Sequence, residues 1–209
     1  ALSAGFPAEK IYFHGNNKTL KELEIAVREN VGRIVVDNFE ELKNLSKVAK
    51  AAGKKVKILL RIKPGIDAGK HEFIKTGQID SKFGFALETG EAMEAAEQAL
   101  AIEELELVGV HCHIGSQIVD VTPFEYAAKV MLNFIADLKE KTGFEAGEMN
   151  LGGGFGIKYL KSDTSRPFED YMESFSKVVK EETARLGLKM PFVLIEPGRS
   201  IVGAAGITL

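Results

Sequence analysis

Met149-Asn-Leu-Gly-Gly-Gly-Phe-Gly-Ile157 is an apolar strand end that breaks into a run of three glycines. Residues without a Cβ let a backbone approach another group closely and aim several N–H groups at it, an arrangement suited to a phosphate. A β-branched side chain at Gly153 would therefore be expected to fill space that an anion needs. Further along, Phe192-Val-Leu-Ile195 leads into Glu196-Pro-Gly-Arg199-Ser200, so a carboxylate, another glycine and a guanidinium follow directly on a strand. Phosphate sites in (β/α)₈ barrels are commonly built from the loops after the last two strands. These are the last two apolar strands of the chain.

Working outward from them, apolar strands alternate with amphipathic helices. Ile11-Tyr-Phe-His14 ends at Gly15-Asn-Asn, and Thr19 opens a helix with Leu20, Leu23 and Val27 on one stripe. Arg33-Ile-Val-Val-Asp37 precedes a helix over 40–52 that Gly53 closes. Val56 to Ile62 reads as a strand, 71–84 as a long polar loop, 88–100 as an alanine-rich helix and Leu105 to Ser116 as a strand running into a turn. Thr122-Pro-Phe-Glu125 has the pattern of an N-cap with proline in the first turn and a capping-box glutamate, and Gly143 ends that helix. A last helix is predicted over 167–186, and the apolar stretch 201–209 reads as the start of another strand. Roughly six such repeats imply an α/β fold with a parallel sheet, more than a small open sheet needs and two short of a closed barrel. The expectation is a partial (β/α)₈ TIM barrel: one barrel domain over residues 1–209, truncated at both ends.

The 209 residues are 45% hydrophobic and 27% charged, with a formal net charge of −3 and no clustered Lys/Arg face. That balance gives no footing for nucleic acid or an anionic membrane as partner, and a small molecule is the expected ligand. No apolar run approaches the roughly 18–20 residues of a membrane span. A single cysteine, Cys112, fits a reducing compartment, so a cytoplasmic location is expected.

Alternation along the strand that begins at Leu105 sets Val108, Val110, Cys112 and Ile114 on one side and Gly109, His111 and His113 on the other. In a barrel the second set faces the interior near the C-terminal rim, which makes His113 a functional candidate, against the plainer reading of a hydrogen-bonded core histidine. A His-x-His pair can also hold a metal, but such sites need ligands from later strands. None of the four histidines lies beyond 113, so no metal is expected. Arg61 and Glu196 share faces with barrel-lining apolar residues (Leu59; Phe192 and Leu194), where a charge is costly unless paired or used. They could pair with one another or serve a ligand. Arg199, beside the glycine run, is better placed as an anion ligand than as a surface arginine.

His111-Cys-His-Ile-Gly-Ser-Gln117, Gly152-Gly-Gly-Phe-Gly156 and Glu196-Pro-Gly-Arg-Ser200, in this order and spacing, resemble the fold-type III pyridoxal-phosphate decarboxylases. Phe13-His-Gly-Asn-Asn17, Leu60-Arg-Ile-Lys-Pro64-Gly and the stretch from Thr76-Gly to Ser81-Lys-Phe-Gly84 support the likeness, which covers nearly the whole chain. It is closest to the branch that takes meso-diaminopimelate to L-lysine and CO₂, with siblings acting on ornithine, arginine or carboxynorspermidine. A non-catalytic relative that binds a partner is the alternative from another class. The resemblance implies pyridoxal 5′-phosphate as cofactor, His113 stacked on its ring, and Ser116, Gly152, Gly153, Gly154, Gly198 and Arg199 around its phosphate. Arg199 would also face the amino-acid substrate, Arg61 would belong to the cofactor site, and Glu196 would bond the pyridine nitrogen. His113 and Glu196 are the expected catalytic residues. Members of the family attach the cofactor to a lysine on the first barrel strand and take a cysteine from a C-terminal β domain. Both segments are expected outside these residues, so the chain alone is not expected to catalyse, and the intact enzyme is expected to be a homodimer.

Overall fold

The computed structural model describes residues 1–65 and 83–206. Most of the predicted polar loop, with Thr76, Ser81 and Lys82, lies outside them. The described chain divides into two compact units: 1–63 with 83–111, and 64–65 with 112–206.

The first unit runs β1 (Tyr12–Phe13), α1 (Leu20–Arg28), β2 (Arg33–Val36), α2 (Phe39–Ala52), β3 (Val56–Lys63), β4 (Phe85–Ala86), α3 (Glu91–Ala101) and β5 (Leu105–His111). Its strand pairs are parallel, with Tyr12 opposite Arg33, Ile34 opposite Ile58 and Val56 opposite Leu105. The two-residue β4 adds to the expected strands by pairing β3 at Ile62 and Phe85. Ile34 to Val36 and Ile58 to Leu60 are continuously buried, as strands of a parallel sheet covered on both faces must be. Helix α3 buries Ala92, Ala95, Ala96 and Ala99, a stripe at i, i+3, i+4 and i+7 that lets the helix lie close against its neighbours. Thr19 caps α1 in a capping box with Glu22, and Gly53 ends α2 in the left-handed conformation. Leu20, placed on the apolar stripe by its spacing, is exposed; Leu23, Ala26 and Val27 form the buried face instead.

The second unit runs α4 (Thr122–Thr142), β6 (Glu148–Asn150), α5 (Phe168–Arg185), β7 (Phe192–Leu194) and α6 (Gly198–Val202). β6 and β7 are parallel, Met149 opposite Val193. Two expectations fail here. Thr122 is not the cap of α4 but its first helical residue: the cap position is Val121, which has no capping side chain, and the Asp120 carboxylate accepts from the Thr122 N–H (3.2 Å) and hydroxyl (3.1 Å) instead. Residues 201–205 do not begin a strand but continue α6 into a 3₁₀ turn, since a short apolar run carries no periodicity that separates helix from strand. In addition, Phe192, expected on a lining face with Leu194, is 67% exposed, at the first position of the three-residue β7.

Parallel strands alternating with helices make this the βα repeat of a (β/α)₈ barrel, present in part. Among the described residues no helix is long and apolar enough to cross a membrane.

Candidate active site

In the second unit, three loops converge where the strands end. Phe155, inside the glycine run, anchors the middle one: its ring stacks on Phe124 of α4 (4.8 Å, 12°) and meets Phe168 and Tyr171 of α5 edge-on at 5.1 and 5.3 Å. The Tyr171 hydroxyl lies 3.0 Å from the carbonyls of both Ile118 and Val119, tying the loop after His113 to the same helix. Burial raises the pKa of that phenol, which holds it as a donor.

The glycines exist because neighbouring backbones come too close for a side chain. A Cβ on Gly152 would stand 2.5 Å from the Cys112 carbonyl, one on Gly153 2.2 Å from the Glu196 carbonyl, and one on Gly154 2.1 Å from the Gly115 carbonyl. Gly152 and Gly154 also take φ of +71° and +100°, which L side chains rarely adopt. The run is thus a junction that packs the loop carrying His113 and Ser116 against the Glu196 loop. This changes the expectation for Gly153: the space a Cβ would fill belongs to Glu196, not to a ligand. Gly153→Val is expected to destabilise the full-length protein by at least about 2 kcal/mol, as overpacking against an unyielding backbone does. Urea unfolding checks it, and an unchanged midpoint would show that the Glu196 loop gives way freely.

Glu196 is fixed at both ends. Its N–H donates to the Gly152 carbonyl (2.8 Å), its carbonyl accepts from Gly198 (2.9 Å), and its Oε1 accepts from Asn150 Nδ2 (2.9 Å). Asn150 is buried and uses its Oδ1 to accept the Gly152 N–H at 2.9 Å, so one amide aims the carboxylate and shapes the glycine turn. Gly152 therefore shapes the turn rather than offering its N–H to the cavity. Sequence reasoning overlooked Asn150; its signal is a lone polar residue between Met149 and Leu151 on a buried strand. His113 accepts the Gly153 N–H at Nδ1 (3.4 Å), which turns its ring toward the junction.

These residues enclose a cavity of about 310 Å³ lined by His113, Ser116, Gly153, Gly154, Glu196 and Arg199, with Phe155, Pro197, Gly198 and Ser200. Its volume lies at the low end of small-molecule sites, about 300–1,000 Å³. The donor set suits a phosphorylated pyridine. A guanidinium (Arg199), two hydroxyls (Ser116 and Ser200) and a glycine turn suit an oxyanion, while an oriented carboxylate and an imidazole suit a basic aromatic ring. Seven expected residues, His113, Ser116, Gly153, Gly154, Glu196, Gly198 and Arg199, thus come together. Cys112 is fully buried, as a small hydrophobe.

Arg61 belongs to the first unit. Its Nη1 lies 3.4 Å from Asp37 Oδ1, its guanidinium is 4.6 Å from the Phe83 ring, and Asp37 Oδ2 accepts the Gly84 N–H at 3.1 Å. Asp37 is thus the partner that an inward arginine requires, and the sequence reading placed it only at the end of a strand.

A family model described as pyridoxal-dependent decarboxylase, pyridoxal binding domain, matches residues 1–203. Diaminopimelate decarboxylase of Bacillus subtilis (strain 168) is 47% identical over 209 residues, covering 100% of this chain and 48% of its own. The Mycobacterium tuberculosis (strain H37Rv) diaminopimelate decarboxylase is 42% identical over 214 residues, with the same coverage of 100% and 48%. The crystal structure of diaminopimelate decarboxylase from M. jannaschii matches with a TM-score of 0.88 at 36% identity, over 96% of this chain and 45% of that one. The Helicobacter pylori enzyme, crystallised with L-lysine, matches with a TM-score of 0.81 at 34% identity, over 96% and 48%. The chain spans about half the length of the curated relatives it matches.

Proposed function

The chain belongs to the pyridoxal-dependent decarboxylases, and on that premise we propose that it is part of an enzyme that decarboxylates meso-diaminopimelate to L-lysine. The observation that carries the reading is Glu196, held by Asn150 on the wall of a cavity that Arg199 and Ser116 also line. A ligand that is anionic at one end and basic at the other matches that pairing, and a binding module has no evident use for the buried amide that aims the carboxylate.

When bound, pyridoxal 5′-phosphate supplies an acceptor for the electron pair left as CO₂ departs. The chain's own residues prepare for that. Glu196 holds a proton on the ring nitrogen, where a carboxylate keeps the ring a strong acceptor. Asn150 fixes the carboxylate so that no reorganisation is needed at the moment of reaction. His113, pinned by the Gly153 N–H on the cavity wall, would lie against the cofactor ring. Ser116, Gly154, Gly198 and Arg199 hold the phosphate, Arg199 also meets the substrate carboxylate, and Gly152 and Gly153 keep the junction closed. Arg61, paired with Asp37 in the first unit, is proposed as a cofactor residue on the family resemblance alone. A cytoplasmic location and a homodimeric intact enzyme belong to the same proposal, and light scattering of the full-length protein tests the second.

The full-length protein with pyridoxal 5′-phosphate is expected to release CO₂ from meso-diaminopimelate and yield L-lysine, with lower kcat/KM for ornithine and arginine. Preference for either of those would move the assignment to a sibling decarboxylase, and no turnover of any would leave a binding protein.

A further inference from the structure

Gln117 closes the His-Ile-Gly-Ser-Gln motif, and nothing in the proposed mechanism uses it. Its backbone stands at φ +58°, in the left-handed region that residues with a side chain seldom enter. Such conformations persist where the surroundings over-determine them, and they gather at ligand clamps. Here the surroundings are two clasps. Ile118 donates to the Gly154 carbonyl and accepts from the Gly156 N–H, both at 2.9 Å. The Gln117 amide grips Ile157 in both directions: Nε2 donates to its carbonyl at 2.6 Å, and Oε1 accepts its N–H at 3.2 Å. That double bond fixes which end of the amide is oxygen, since a flipped amide would set donor against donor and acceptor against acceptor.

The oxygen so fixed also accepts from Arg199 Nη1 at 3.3 Å. On another side the Arg199 guanidinium lies 6.0 Å from the Tyr159 ring, within reach of a cation–π attraction. Arg199 is exposed, and an exposed arginine otherwise samples many rotamers, whose loss weakens any ligand it must order itself to meet. We infer that Gln117 is a positioning residue: clasped to Ile157 and held in a strained backbone, it presets Arg199 at the cavity for an oxyanion, either the cofactor phosphate or the substrate carboxylate. The inference rests on the role proposed above for Arg199.

The test uses the full-length protein and its Gln117→Ala, Gln117→Gly, Arg199→Ala and Gln117→Ala/Arg199→Ala variants. Each apoprotein is titrated with pyridoxal 5′-phosphate and with pyridoxal, which lacks the phosphate, and KM is measured at saturating cofactor. If the oxyanion is the phosphate, Gln117→Ala weakens pyridoxal 5′-phosphate about tenfold, roughly 1.4 kcal/mol, and leaves pyridoxal unchanged. If it is the substrate carboxylate, KM rises by a similar factor with cofactor affinity unchanged. In either case Gln117→Ala adds less than about twofold on top of Arg199→Ala, because the two act through one contact. Gln117→Gly, which relieves the backbone while removing the amide, shows the same loss as alanine. Equal losses for pyridoxal and its phosphate, undiminished losses in the Arg199→Ala background, recovery in the glycine variant, or no change at all would each overturn the inference. If Arg199→Ala itself altered neither quantity, the proposed role of Arg199 would fall first and the inference with it.

Discussion

Glu196→Gln in the full-length protein is expected to bind pyridoxal 5′-phosphate and to lower kcat at least about 100-fold, roughly 2.7 kcal/mol of transition-state stabilisation. Glutamine keeps the shape and an oxygen that Asn150 Nδ2 can still donate to, so the loop bonds at Gly152 and Gly198 should survive. What it lacks is the charge that holds a proton on the ring nitrogen. That charge matters most when the electron pair of the departing carboxyl group moves into the ring. An interaction made chiefly in the transition state appears in kcat, with KM little changed. Steady-state kinetics alongside a cofactor titration separate the two, and near-normal kcat would remove Glu196 from the chemistry.

The second large effect lies in the first unit. Lys18→Met is expected to destabilise the protein by about 3–5 kcal/mol, the range for breaking a buried ion pair by removing one partner. The Lys18 side chain is 2% exposed, and its ammonium donates to the carbonyls of Gly15 and Val35, both at 2.7 Å, and to Glu41 Oε1 at 2.6 Å. Glu41, its side chain 3% exposed, accepts the Asp37 N–H at its other oxygen (3.3 Å), and Asp37 in turn holds Arg61. Burial pushes the lysine pKa down and the glutamate pKa up, and the attraction between the two opposes both shifts. Without the ammonium, Glu41 keeps the burial penalty and loses the attraction. Urea unfolding measures the loss. A double variant, Lys18→Met with Glu41→Leu, should recover much of it, since a buried pair replaced by packed apolar groups is often close to neutral. A single variant within about 1 kcal/mol of the parent would show that water reaches Glu41.

Lys18 also marks where a reading of the sequence stops. Spacing places it after Gly15-Asn-Asn, in what reads as a solvated loop, and nothing local says that its side chain turns inward to meet a carboxylate on α2. Partners 23 residues apart are brought together only by the folded βα units. Arg61 is the complementary case. Its place among apolar strand residues signals a charge in need of a partner, but Asp37 is identified only once β2 and β3 lie side by side. Thr122 failed for a related reason: the capping pattern is present, but the carboxylate of Asp120 satisfies the helix start first.

The sequence by itself determined the parallel βα repeat, because burial on both strand faces and on one face of each helix leaves a periodic trace that needs no knowledge of contacts. It also determined the candidate chemistry, since Gly152 to Gly154, His113 and Glu196-Pro-Gly-Arg199 are unusual residues at unusual places along that repeat. Only the tertiary structure decided what the glycines are for. Whether a missing Cβ makes room for a ligand or for another backbone depends on what stands opposite, and opposite Gly153 stands the carbonyl of Glu196. In the same way Asn150 and Gln117 acquire roles only through partners 46 and 40 residues away in the chain, because a side-chain amide acts through whatever its two ends can reach.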